Sequence, residues 1–143
     1  IRVTMDKRPT SISIKTMPYP GFPTDMQPQM SILLALGDST GTIIETIWES
    51  RFQYTDELAK MGADITAHGS TAIFRGVDKL YGAPVKAHDL RAGAAMIIAG
   101  LVAEGETDVS DIHHIQRGYE NIVEKFSNLG AKIDYIKTED EDE

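Results

Sequence analysis

Cysteine is absent from the 143 residues. This excludes a disulfide framework, a thiolate metal site and a cysteine nucleophile within the chain. Basic charge is also in deficit, with 14 Lys and Arg against 22 Asp and Glu. No basic face is available to displace counterions, so neither nucleic acid nor an acidic membrane is an expected partner. The longest small-and-apolar run, from Ala94 to Ala103, is about half of what a membrane-spanning helix needs. There is no initiator Met, no secretory leader pattern, no HExxH spacing and no GxGxxG or Walker loop. We therefore expect no metal and no nucleotide cofactor, a cytoplasmic protein, and a chain that is processed or excised from something longer.

What is present is the ordinary content of a globular domain, 41% apolar and 25% charged residues. The charge is unevenly placed. Residues Glu139 to Glu143 are all acidic, and with those five set aside 17 acids face 14 bases. The segment 138–143 reads as a solvated, disordered acidic tail, and 1–137 as the folded part.

Periodicity alternates between strand and helix. Val3 and Met5, then Ile12 and Ile14, alternate with polar residues and predict two short strands. Pro18, Pro20 and Pro23 then stiffen a loop. Thr24-Asp25 reads as the N-cap of a helix carrying Met26, Met30, Leu33 and Leu34. A strand follows from Gly41 to Ile47, then a helix begun by Thr55 and stopped by Gly62. A hairpin joins Asp64–Ala67 to Thr71–Phe74 through His68-Gly69-Ser70.

The order then recurs. Val85–Ala87 predicts a strand, Asp89 a helix cap, Gly105–Ile112 a strand, Tyr119–Leu129 a helix and Ala131–Ile136 a strand. Asp25 and Asp89 are 64 apart, as are Gly41 and Gly105; Arg51 and Arg117 are 66 apart, and Gly62 and Gly130 are 68 apart. That steady shift marks an internal repeat, with units over about 11–76 and 84–137. The repeat places one Asp at the start of each first helix and one Arg in each loop before the second. Helix N-termini suit carboxylates and phosphates, so the duplicated ends form a candidate anion site. The plainer alternative for each Asp is a cap worth about 1 kcal/mol.

The run Pro20-Gly21-Phe22-Pro23-Thr24-Asp25-Met26-Gln27-Pro28-Gln29 resembles the signature of the UDP-N-acetylglucosamine enolpyruvyl transferases, 1-carboxyvinyltransferases of peptidoglycan precursor synthesis. Glu45-Thr46-Ile47-Trp48-Glu49-Ser50-Arg51-Phe52, Met61-Gly62-Ala63, Asp89-Leu90-Arg91-Ala92 and His114-Ile115-Gln116-Arg117-Gly118-Tyr119-Glu120 agree in order and spacing. Ser50 departs from the Asn common in that family.

The resemblance implies an α/β (α+β) fold of repeated βαβαββ units in an inside-out α/β barrel. The chain then covers about two of the three units of the carboxyl-terminal lobe. It implies that Asp25 contacts the sugar and accepts the proton of its 3′-hydroxyl, since a carboxylate removed from water is the stronger base. Ile47 contacts the nucleotide sugar through its backbone, Asp89 orients the reacting centre, and Arg51, Arg91 and Arg117 face phosphoenolpyruvate. Guanidinium forks grip carboxylate and phosphate while staying charged. The family's Cys proton donor, a lysine and a further arginine belong to the other, amino-terminal lobe, so the isolated chain is expected to be inactive. Two other readings stay open: a non-catalytic anion-binding domain of the same fold, and part of the shikimate-pathway enolpyruvyl transferase.

His68 and His88 read as loop residues. His113 and His114 are adjacent and on a strand would face opposite ways; His114 reads either as lining the cleft near Arg117 or as a structural hydrogen-bonding residue, and Trp48 reads as a packing residue.

Overall fold

The computed structural model describes residues 1–137, so the acidic run lies outside the described residues. Strand β1 (Ser13–Lys15) leads through the proline loop and a 3₁₀ turn (Thr24–Met26) into helix α1 (Gln27–Ala35). Pro28 sits in its first turn, where a missing N–H costs nothing. Strand β2 (Thr40–Ile44), helix α2 (Tyr54–Lys60) and the hairpin β3 (Asp64–His68) and β4 (Thr71–Arg75) complete the first unit. Its sheet runs β1-β2-β4-β3, with β1 parallel to β2 and the remaining pairs antiparallel. The hairpin closes tightly, His68 opposite Thr71, because Gly69 takes a positive φ of 58°.

The second unit opens the same way. Strand β5 (Pro84–Lys86), helix α3 (Leu90–Val102) and strand β6 (Asp108–Ser110) form a second parallel pair joined by a helix. A short helix α4 (His113–Gln116) and helix α5 (Ile122–Asn128) follow.

The two second helices end alike. In α2, Ala63 N–H returns to Leu58 O and Gly62 N–H to Ala59 O; in α5, Ala131 N–H returns to Phe126 O and Gly130 N–H to Ser127 O. Gly62 and Gly130 sit at φ 91° and 99°, the left-handed turn that such endings require. A hydrogen-bond pattern reproduced at a shift of 68 residues is a repeat in geometry as well as in sequence.

Helices α1 and α3 pack against each other, with the strands of both units outside them. One core runs without a break from Ile14, Ile43 and Phe74 of the first sheet, through Ile32, Leu34 and Ala35 of α1, to Ala92, Ala95, Met96 and Ala99 of α3. The small residues of α3 let neighbours approach on several sides, which is why seven of its residues are buried. Helices inside and sheets outside is the architecture expected above.

Several sequence expectations fail at particular points. Val3 and Met5 form no strand and are 85% and 63% exposed. Period-two alternation without a neighbouring strand gains no ladder hydrogen bonds. The same reason removes the strand expected over Ala131–Ile136, which has no pairing partner among the described residues. The strand expected over Gly105–Ile112 shortens to three residues and is closed by Asp111 at φ 56°, a left-handed conformation that Asp tolerates. The helix expected over Tyr119–Leu129 starts late because Asn121, at φ 49°, interrupts it. His113 and His114 are helical, with rings 4.1 Å apart.

Candidate functional site

The starts of the two central helices meet. Asp25 lies in the 3₁₀ turn before α1 and Arg91 in the first turn of α3, and Arg91 Nε stands 2.6 Å from Asp25 Oδ1. The carboxylate is 60% exposed and the guanidinium 37%. A pair so open to water adds about 0–1 kcal/mol to stability. Its consequence is geometric: an acid of one unit and a base of the other are held at one exposed place.

Asp89 completes this group differently. Its Oδ1 accepts Arg91 N–H at 2.9 Å and Ala92 N–H at 2.8 Å, so it caps α3 as expected. Asp25 does not cap α1. Pro23 and Met26 occupy the N-cap positions of the turn and helix, and no side chain bonds to either start. The expected pairing of Thr24-Asp25 as a cap is corrected, because the 3₁₀ turn moves Asp25 off the end of the helix and leaves its carboxylate to Arg91.

Thr24 has another task. Its hydroxyl donates to Glu45 Oε1, and Thr16 donates to Glu45 Oε2. Glu45 is 3% exposed at the end of β2, and Thr46 N–H returns to Thr16 Oγ1 at 2.9 Å. One buried carboxylate thus ties the end of β1, the end of the proline loop and the end of β2 together, and sets where Asp25 begins. Its position in the Glu45–Phe52 motif carried no sign of that role. The alternation of Ile43, Glu45 and Ile47 would have put it on the inward face of β2, where a carboxylate needs partners.

The other candidate residues lie apart from this group. Among the described residues no hydrogen bond or ion pair joins Ile47, Arg51 or Arg117 to it. Ile47 follows β2 in an exposed loop, 38% open. Arg51 lies over Trp48, its guanidinium carbon 5.3 Å from the ring centroid. Trp48 is 57% exposed and serves as a platform for that cation, not as the packing residue expected from sequence. Arg117 ends α4 and lines an open cavity of about 420 Å³ with Gln116, Tyr119, Glu120, Asn121 and Tyr135. Two arginines related by the repeat therefore have different neighbours.

Beneath the site, Tyr54 of α2 is 2% exposed and donates its hydroxyl to Gln27, itself fully buried at the start of α1. Burial pushes the Tyr54 phenol well above its ordinary pKa, which keeps it a neutral donor. No group of three or more His, Asp or Glu side chains among the described residues is arranged to hold a metal ion. No described helix is long and apolar enough to cross a membrane.

An exposed Asp–Arg pair at two converging helix starts, with further arginines on the adjoining loops, is equipped to bind an anion and move a proton beside it. Known proteins resemble this chain in sequence and in fold. The family model for EPSP synthase (3-phosphoshikimate 1-carboxyvinyltransferase) matches residues 1–126. A UDP-N-acetylglucosamine 1-carboxyvinyltransferase of Thermotoga petrophila is 50% identical over 139 residues, 97% of this chain and 33% of that protein. The enzyme of the same description from Clostridium botulinum is 60% identical over 121 residues, 85% of this chain and 29% of that protein. Among solved structures, the enolpyruvyl transferase NikO of Streptomyces tendae superposes with a TM-score of 0.80 at 30% identity, over 87% of this chain and 29% of its own. EPSP synthase of Acinetobacter baumannii, at TM-score 0.65 and 20% identity over 76% of this chain and 28% of its own, shares the fold. The chain spans about a third of the length of the curated relatives it matches.

Proposed function

The chain belongs to the EPSP synthase (3-phosphoshikimate 1-carboxyvinyltransferase) family, and from that premise we propose that it supplies part of the site of a UDP-N-acetylglucosamine enolpyruvyl transferase. The observation that carries the reading is the 2.6 Å pair between Asp25 and Arg91, which joins the two most specific sequence motifs in one place. Identity of 50–60% to proteins named for the nucleotide-sugar reaction favours that substrate over shikimate 3-phosphate.

In this reading the 3′-hydroxyl of UDP-N-acetylglucosamine adds to C2 of phosphoenolpyruvate while C3 takes up a proton. The tetrahedral intermediate then expels inorganic phosphate and loses the C3 proton, leaving the enol ether. Asp25 accepts the hydroxyl proton, and its open carboxylate can reach a ligand without disturbing the fold. Arg91, fixed beside it, draws the anionic substrate to the same place. Arg51 and Arg117 extend the positive lining, Asp89 holds Arg91 by capping α3, and Ile47 meets the nucleotide sugar. Proximity and charge stabilisation supply the acceleration. The C3 proton donor lies in the other lobe, the reaction belongs in the cytoplasm, and the isolated chain is inactive.

The test is phosphate release by the complete enzyme of which this chain forms part. Turnover with phosphoenolpyruvate and UDP-N-acetylglucosamine, lost in Asp25→Ala and absent from the isolated 143 residues, supports the reading. Turnover with shikimate 3-phosphate in place of the nucleotide sugar, or an Asp25→Ala enzyme with full activity, overturns it.

A further inference from the structure

Outside the group just described, a second buried carboxylate links the two repeats. Glu57 of α2 is 4% exposed. Its Oε2 accepts Lys86 N–H at 3.0 Å and Lys60 Nζ at 3.0 Å; its Oε1 accepts Lys60 Nζ at 3.1 Å and faces His88 Nε2 at 3.2 Å. Burial alone would raise its pKa, but the hydrogen bonds from Lys60, Lys86 and His88 outweigh burial and hold the carboxyl below its ordinary value. An ionised carboxylate only accepts, so Nε2 of His88 carries the proton between them.

Lys60 is a neighbour on the same helix and asks nothing of the second unit. The other two donors come from that unit. Ala87 N–H to Ser110 O, at 3.0 Å, is the last sheet hydrogen bond of the strand. From His88 onward the backbone leaves the sheet, and the next residue is Asp89, which caps Arg91. The His88 side chain is the anchor where the ladder stops.

We propose that Glu57 and His88 form a positioning clamp that holds the Asp89–Arg91 segment opposite Asp25 and so sets affinity for phosphoenolpyruvate without touching it. The clamp rests on the reading of Arg91 as a phosphoenolpyruvate ligand. Glu57 is well placed for this because α2 packs on β5 and α3, and its carboxylate is too buried to reorient. A carboxylate behind a histidine that leads into a binding loop orients that loop as outer partners orient ligands elsewhere.

The experiment uses the complete enzyme with His88→Leu, His88→Gln, Arg91→Ala and the double variant His88→Leu/Arg91→Ala, each measured for kcat, both KM values and Tm. The His88 side chain is 35% exposed, so substitution there spares the core that Glu57→Gln, made in parallel, disturbs. His88→Leu should raise KM for phosphoenolpyruvate about tenfold, as a small displacement of a binding group does, and leave KM for the nucleotide sugar within about twofold. His88→Gln, whose amide can donate to Glu57, should recover most of the loss. In the Arg91→Ala background His88→Leu should add nothing, because the clamp acts through Arg91.

A fall in Tm with unmoved KM values, or an equal rise in KM with and without Arg91, overturns the clamp. Arg91→Ala with full effect beside a silent His88→Leu also overturns it, while the reading of the site stands. Arg91→Ala without effect overturns both.

Discussion

Asp25 and Asp89 stand 64 residues apart at the starts of α1 and α3, yet one carboxylate is spent on two backbone N–H groups and the other on none. The cause lies in what precedes each. A short crossing from β5 delivers Asp89 straight to the helix end. The longer proline loop after β1, pinned by Thr24 to Glu45, turns through 3₁₀ geometry and presents Asp25 beside the helix. A duplicated position has thus become a cap in one unit and, in the other, a carboxylate paired with the Arg91 side chain. The arginines diverge in parallel: Arg51 rests on an indole face, while Arg117 lines a cavity.

The sharpest way to break the comparison is to remove the carboxylate that caps nothing, Asp25. In the complete enzyme Asp25→Ala should lower kcat by about 10²–10⁴, the loss of a general base. Thermal unfolding should barely move, because its exposed ion pair contributes little. A clear fall in Tm with kcat preserved would return Asp25 to a structural role and make the two units alike after all.

Arg117→Ala should come next, raising KM for phosphoenolpyruvate at least about tenfold through loss of a charge-assisted contact. Arg51→Ala should do less, since its guanidinium is already engaged with Trp48 and removal also frees that ring. Equal effects at both positions in steady-state kinetics would mean that the Trp48 contact has no bearing on Arg51.

What could be read in advance divides along the same line. Gly62 and Gly130, the hairpin at Gly69 and the Asp89 cap were legible because each depends on a few adjacent residues. The position of Asp25 was not, because it depends on a buried carboxylate 20 residues further along, at Glu45. The contact between Glu57 and His88 was hidden for the same reason: 31 residues separate them and only the packing of α2 on β5 joins them. Ala131–Ile136 has a strand's alternation and lacks a strand's partner. The fold and the identity of the candidate residues came from local pattern and resemblance. The division of labour between the units came from long-range contacts.

Gly62 and Gly130 test whether the units are also alike in stability. Each sits at a positive φ that an alanine adopts only under strain, so Gly→Ala should cost about 1–2 kcal/mol at either position. A Cβ at Gly62 would lie 3.4 Å from the Tyr81 ring, whereas one at Gly130 would meet nothing within 4 Å. The first approach is an ordinary van der Waals contact, so the backbone strain decides and the two substitutions should cost alike, read as shifts in the denaturation midpoint.

The smallest expected effect closes the comparison at Asp89. Asp89→Ala leaves two N–H groups of α3 without their cap, a loss of about 1 kcal/mol. Asp89→Asn keeps an oxygen for those groups and should recover most of that stability, with α3 as buried and as well packed as before. If the carboxylate matters only as a cap, Asn restores activity together with stability. If Asp89 also orients the reacting centre, Asn restores the Tm and leaves kcat reduced. Calorimetric unfolding and steady-state kinetics on the same two variants separate these outcomes. Restored stability with reduced kcat would show that the second unit's aspartate, like the first unit's, does more than hold its helix.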